Sequence, residues 1–165
     1  MRNTVARWLL VSLLLVLVGA SACQPRAQAP TVDTGAITAA LDSLNKVFLA
    51  AVAARDTDAV VGMYADDAQV LPAGMPRADG RDAIRALWVG MLSTPGLELN
   101  ITGSTPIVTE AGDMVIDVGG YVMKSTGAKG KVMEDVGKYV TIFKKVNGAW
   151  KIVVNTFNSD KAPGQ

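Results

Sequence analysis

The 165-residue chain contains no histidine, and its single cysteine is Cys23. Without histidine it lacks the side chain that most often titrates near neutral pH and most often binds transition metals. With only one cysteine besides, the donors of a zinc site are missing. No metal and no cofactor are therefore expected. There is no Gly-x-Ser-x-Gly elbow, no glycine-rich phosphate loop, and no cysteine in the body of the chain to serve as a nucleophile. An excess of positive charge is missing too, with 16 basic residues against 15 acidic ones. Nucleic-acid binding needs Lys and Arg gathered on one face, whereas Lys129, Lys131, Lys144 and Lys145 read as solvated strand ends beside hairpin loops. No nucleic-acid partner is expected. Asp66-Asp67 and Asp79/Asp82 follow no cation-loop spacing and read as turn and helix-start residues.

What the chain does have begins with "MRNTVARWLLVSLLLVLVGASACQP". Arg2 and Arg7 form a basic leader. Trp8 to Val18 is apolar but too short for a stable membrane anchor, and the small residues Gly19 to Ala22 follow. This is the pattern of a secretory signal peptide, residues 1–22. Its removal leaves a net charge of −1. Ala20-Ser21-Ala22 fits an ordinary cleavage site. The same tetrad ending in Cys23 resembles a bacterial lipobox, although Ala20 stands where that motif prefers Leu. Cys23 is thus the candidate lipidation site, and an acyl chain there would supply membrane affinity. Gln24 after it, rather than Asp, implies the outer membrane, with the chain facing the periplasm of the bacterial envelope. Residues 23–34 read as a polar Ala/Pro tether, 35–160 as one domain and 161–165 as a tail.

Within the domain, Ile37, Leu41, Leu44, Phe48 and Val52 recur in steps of three and four and define a helix face, with Thr34 as the expected N-cap. Asp56 or Thr57 caps a second short helix running through Tyr64. Gln69 to Leu71 is a short strand ended by Pro72. Arg81 to Leu92 is a third helix with Ile84, Leu87, Trp88 and Met91 on one side. Strands follow: one around Leu97, Leu99 and Ile101, then Met114 to Lys124, Val132 to Val146, and Ala149 to Asn158. Asn147-Gly148 is a type I′ hairpin signal. No internal repeat is read. Helices first and antiparallel strands after predict an α+β fold, a curved sheet with three helices on one face and a cavity between them.

The segment "MYADDAQVLPAGMPRADGRDAIRALW", Met63 to Trp88, resembles the NTF2-like superfamily, the SnoaL-like and ketosteroid-isomerase-like proteins. The final hairpin, "GKYVTIFKKVNGAWKIVVNTFNSD", looks like the uncharacterised DUF4440 branch. The resemblance implies a cone-shaped fold that hosts isomerases, dehydratases, hydrolases, binding modules and oligomerisation domains, often dimeric through the sheet. Ketosteroid isomerases use a carboxylate base with an oxyanion hole of Tyr and a protonated Asp. In the family the base lies just before a proline, after a "YADDA" segment. Here that segment is Tyr64 to Ala68 and the position before Pro72 is Leu71. The oxyanion acid would fall near Ile142, where there is none, and the first helix offers Phe48 but no tyrosine. That proton-transfer machinery is not expected.

Asp135 and Tyr139 remain as an acid and a phenol on one strand face. Four residues of strand separate their Cα atoms by roughly 13 Å, so any partner must come from elsewhere: Asp117 or Tyr121, Asn155, Tyr64 or Trp88. Asp135 is alternatively solvated or paired with Lys138. Tyr139 is a pocket wall or a structural core tyrosine. The strand's parity is open, because Val136, Val140 and Ile142 would suit the core as well as Tyr139, Thr141 and Phe143, and a bulge near Gly137 would exchange them. Gly119-Gly120 fits a bend in the sheet. Met63, Met91, Met123 and Met133 could give an adaptable lining.

The expected pocket residues are Tyr64, Trp88, Met91, Tyr121, Tyr139 and Asn155. The favoured function is an envelope-anchored domain holding a small apolar molecule, with the membrane reached only through the N-terminal lipid and a homodimer formed through the sheet. The rival readings are an isomerase or dehydratase using Asp135, Asp117 or Tyr139, and a structural dimerisation module with a filled interior.

Overall fold

Asp33 starts the first helix, one residue before the expected cap. Its Oδ1 accepts the Ala36 N–H at 2.9 Å, and a carboxylate at that place also offsets the positive end of the helix dipole. Helix α1 spans Thr34–Ala53 and buries Ile37, Leu41, Ala51 and Val52, in keeping with the apolar period. These elements come from a computed structural model that describes residues 31–161. The expected signal peptide, Cys23 and most of the expected tether lie outside the described residues, as do the last four residues of the chain.

Asp56 caps α2, Thr57–Gly62, by accepting the Ala59 N–H at 2.9 Å. This helix is shorter than expected. Tyr64 opens strand β1, Tyr64–Pro72, because its backbone pairs with Ile152 of the last strand and Lys151 Nζ caps the Gly62 carbonyl at 2.5 Å. Pairing with a distant strand overrides a local helical pattern. Asp66 and Asp67 consequently stand on the exposed part of β1, not in a turn, and Asp66 forms an ion pair with Arg81. That guanidinium holds the Asp66 carboxyl below the usual carboxylate range. The short strand β2, Ala78–Asp79, leads into α3, Gly80–Leu92, which buries Ile84, Trp88 and Leu92.

The remaining strands are β3, Glu98–Val108; β4, Met114–Thr126; β5, Val132–Val146; and β6, Ala149–Ser159. A single 3-10 turn, Ala128–Gly130, interrupts the loop between β4 and β5. The six strands lie in the order β2-β1-β6-β5-β4-β3. All pairs are antiparallel except β1 with β6. The sheet is open, and its curvature has local causes. The β3–β4 register shifts between Thr102 and Thr105, where Gly103 takes a φ of 64°. The β5–β6 register shifts between Ile142 and Phe143. Bulges of this kind bend and twist the strand that carries them. Asn147 and Gly148 have φ of 51° and 82°, as the type I′ turn requires.

The β4–β5 ladder runs without a shift from Met114–Lys144 to Thr126–Val132. No bulge exists at Gly137, and the parity of β5 is settled. Tyr139, Thr141 and Phe143 face the helices, and Val136 lies on the opposite face, 44% exposed. The core between helices and sheet includes Leu41, Val52, Val60, Val61, Ile84 and Val115. The result is an α+β cone with its three helices on the concave side.

Candidate functional site

The cone is not filled to its wide end. A cavity of about 100 Å³ lies between the helices and the sheet. Helices α1 and α3 supply Asn45, Phe48, Trp88 and Met91 to its walls, and Met63 and Tyr64 close the side where α2 passes into β1. The sheet supplies the floor, with Leu99 and Ile101 from β3, Tyr121 and Met123 from β4, Tyr139 and Thr141 from β5, and Asn155 and Phe157 from β6. Phe48 meets Trp88 edge to face at 5.5 Å, and Tyr121 meets Phe157 likewise at 6.5 Å, the geometry that aromatic quadrupoles favour. No charged side chain lines the cavity.

The structure thus brings Tyr64, Trp88, Met91, Tyr121, Tyr139 and Asn155 to one cavity. Tyr64 comes to it from a strand and not from a helix. Of the four methionines considered as lining, Met133 is elsewhere: it is 55% exposed and borders a separate recess together with Glu134, Asp135 and Ser159.

Asp135 and Tyr139 do not meet, as their separation along the strand requires. Each finds its partner on β4. The Tyr139 hydroxyl donates to Asp117 Oδ2 at 3.0 Å, and the Tyr121 hydroxyl donates to Asp135 Oδ2 at 2.9 Å. Asp117 is 1% exposed and accepts a second hydrogen bond from Ser104 Oγ at 2.7 Å, a residue aimed by the β3 bulge. Asp135 accepts its second from Ser159 Oγ at 2.5 Å. The expected solvated Asp135, or one paired with Lys138, is therefore corrected; Lys138 instead pairs with Asp160.

This crossed arrangement has a signal in the sequence that a search for long repeats passes over. Strand β4 carries Asp117-Val118-Gly119-Gly120-Tyr121 and β5 carries Asp135-Val136-Gly137-Lys138-Tyr139, both Asp-Val-Gly-x-Tyr. The antiparallel register sets Gly119 opposite Tyr139 and Tyr121 opposite Gly137. Each ring lies over the facing glycine and reaches the acid of the other strand. A Cβ on Gly119 would fall 2.6 Å from the Tyr139 hydroxyl, and one on Gly137 would fall 2.4 Å from Tyr121 Cζ. The glycines do more than permit a bend; they make room for the tyrosines. Burial, with the neighbouring carboxylate next in importance, pushes both phenols well above their ordinary pKa. Tyr64 is pushed up as well, by burial alone, against a small opposing effect of the Trp88 hydrogen bond.

The places where ketosteroid isomerases keep their acids hold none here. Leu71 is 39% exposed and turned away from the core, with Val70 buried beside it. Ile142 lies on the convex face between Thr141 and Phe143, and the Thr141 hydroxyl accepts from Asn155 Nδ2 at 2.8 Å.

The family profile described as a SnoaL-like domain matches residues 46–153, from the last third of α1 to the middle of β6. The chain belongs to the SnoaL-like domain family. Solved structures similar to this SnoaL-like domain share its fold at low identity. A Mycobacterium tuberculosis protein of unknown function superposes with a TM-score of 0.70 at 18% identity, covering 84% of this chain and 80% of that one. A hexachlorocyclohexane dehydrochlorinase from Novosphingobium barchaimii gives 0.68 at 17% identity, with 79% and 92% covered. A ketosteroid isomerase-like protein from Erwinia carotovora atroseptica gives 0.63 at 19%, with 75% and 96% covered. No curated protein matches the chain. These likenesses are of fold alone.

Proposed function

We propose that this SnoaL-like domain holds a small, mostly apolar molecule in its cone, on a chain anchored to the bacterial envelope through lipidated Cys23, without ketosteroid-isomerase chemistry. The observation that carries the reading is the cavity itself. Aromatic and aliphatic side chains make most of its lining, with Asn45, Thr141 and Asn155 besides and no charged group, and a site of that kind gains most from burying apolar ligand surface. At about 100 Å³ the cavity is smaller than the ~150 Å³ apolar cavity that takes up benzene, but it is open on one side, so it suits a molecule no larger than about one ring. The dehydrochlorinase neighbour, named for a small chlorinated ring, supports the ligand class by analogy of fold alone. The sequence resemblance to the DUF4440 branch adds the expectation of an uncharacterised accessory role. The convex face leaves Ile107, Val118 and Val136 at 55%, 41% and 44% exposure, which supports a homodimer through the sheet.

Native mass spectrometry of protein purified from its own envelope tests the reading. The expected spectrum shows an acylated Cys23, a dimer, and a small-molecule mass lost on denaturation. A domain that retains nothing, and that shows no saturable binding of acetophenone in solution, refutes the ligand reading and leaves the structural module.

A second reading is favoured by one observation, the buried Asp117 joined to a cavity-wall tyrosine. An isomerase or dehydratase would use Asp117, Tyr139 or Asp135 as its acid and base. Against it, both Asp117 oxygens are already engaged and Asp135 borders the other recess. Turnover of a steroid enone that disappears in Asp117→Asn would establish it.

A further inference from the structure

Three tyrosines line the cavity, and their hydroxyls are not equivalent. Tyr121 and Tyr139 have committed their protons to Asp135 and Asp117. Tyr64 is different. Its oxygen accepts the indole N–H of Trp88 at 3.2 Å, so Trp88 fixes the oxygen as an acceptor and leaves the hydroxyl hydrogen to point elsewhere. Among the described residues no acceptor takes that hydrogen, although Tyr64 is 1% exposed. A buried donor is costly to leave unpaired, and the space beside this one is the cavity it lines.

We propose that Tyr64 is the specificity-determining residue of the cavity, and that it selects neutral apolar molecules bearing an oxygen acceptor such as a ketone, aldehyde or ester. The inference rests on reading the cavity as a small-molecule site. The chemistry of the walls narrows the class further. An anion would enter a cavity with no cationic lining residue, and a cation would find no carboxylate among the lining residues; either would lose its hydration without compensation. A pure hydrocarbon would fit the aromatic walls but leave the Tyr64 hydrogen unpaired. A carbonyl oxygen satisfies it. The Trp88 to Tyr64 hydrogen bond polarises the phenol in the direction that makes it a better donor. Trp88 is thereby a positioning residue for Tyr64, and the Trp88 ring, braced by Phe48 at 5.5 Å, holds it in place.

The probe pair is acetophenone and α-methylstyrene, which share an outline and differ in C=O against C=CH2. Dissociation constants of both for the intact protein are measured by ligand-observed nuclear magnetic resonance. A carbonyl moved from water into an apolar cavity with no donor should bind at least about tenfold more weakly than the alkene. With the Tyr64 donor, acetophenone should bind as tightly as α-methylstyrene or tighter. In Tyr64→Phe, acetophenone should weaken about fivefold to tenfold while the alkene changes less than about twofold. Because that variant also deprives Trp88 of its acceptor, a measurement with Tyr64 intact stands beside it: the bound ketone's infrared C=O stretch should move to lower frequency, as donation to the oxygen requires, and should do so equally in Thr141→Val, which removes the other cavity hydroxyl that accepts a hydrogen bond, from Asn155 Nδ2. A tenfold preference for the alkene, or a C=O band at its position in hydrocarbon solvent, overturns the donor assignment while leaving the cavity a binding site. Failure of both probes to bind overturns the binding reading and this inference with it.

Discussion

Gly137→Ala is the substitution whose sign most sharply separates this structure from generic expectation. In a chain whose backbone can accept either residue, replacing Gly by Ala stabilises by about 0.4–1 kcal/mol, because the unfolded state loses freedom. At Gly137 the new Cβ would lie 2.4 Å from Tyr121 Cζ and hydroxyl on one side and 2.4 Å from the Asn158 backbone carbonyl on the other. The carbonyl belongs to strand β6 and cannot yield without disturbing the ladder. Tyr121 is the side chain that can give way, losing its hydrogen bond to Asp135 and its edge contact with Phe157, while the clash with the carbonyl remains and strains the β5–β6 ladder. Overpacking costs about 1–3 kcal/mol and a lost hydrogen bond to a carboxylate about 1.5–3. With partial relaxation and the gain in the unfolded state subtracted, a net loss of about 2–3 kcal/mol is expected. For a domain of this size that corresponds to a fall in Tm of roughly 7–11 °C. The control is Gly90→Ala in α3, where nothing lies within 4 Å of the added Cβ. Helix propensity there predicts a gain of about 0.5–1 kcal/mol. Urea unfolding of the two variants reads both, and pairing Gly137→Ala with Tyr121→Ala should recover part of the loss. A Gly137→Ala protein as stable as its parent would mean that Tyr121 does not lie across that glycine.

Asp117→Ala removes the acceptor of two buried hydroxyls and should cost about 1–3 kcal/mol in urea. Asp117→Asn should cost less, and both should lower the Tyr139 pKa without normalising it, since burial is the larger cause of its rise; ultraviolet titration follows this. At alkaline pH the folded tyrosines keep protons that the unfolded chain releases near pH 10, so the stability their neutral forms provide, complete below that pH, falls as pH climbs. The slope is about 1.4 kcal/mol per pH unit from buried Tyr64 alone, the better-solvated two adding less. Denaturant midpoints that stay level above pH 10.5 would contradict the burial of Tyr64. Gly148→Ala, at φ 82° in the β5–β6 turn, should destabilise by about 1 kcal/mol, and an unchanged midpoint would argue against the type I′ geometry.

How much of this could be read before the structure depends on how far each signal travels along the chain. The third helix, the β5 limits and the Asn147-Gly148 turn were legible because caps, periodicity and positive φ are properties of a few neighbouring residues. Tyr64 was misplaced because its fate is set by Ile152, 88 positions later, and local pattern carries no information about such a partner. For Asp135 the sequence offered Tyr121 among several possible partners but could not choose it over Lys138 or point to Ser159, since those contacts too are set by distant positions. The Asp-Val-Gly-x-Tyr repeat stood in plain view, yet its meaning needed the register of two strands.

By itself the sequence determined an α+β chain with three helices ahead of a long antiparallel run, and the absence of an acid where isomerases place one. Those follow from residue identity and from interactions within a turn or two. Only the tertiary structure decided which face of β5 looks inward, which tyrosines have spent their protons and which has one left to offer. Such facts belong to pairs of residues distant in sequence, and alternation along a single strand is equally compatible with either face.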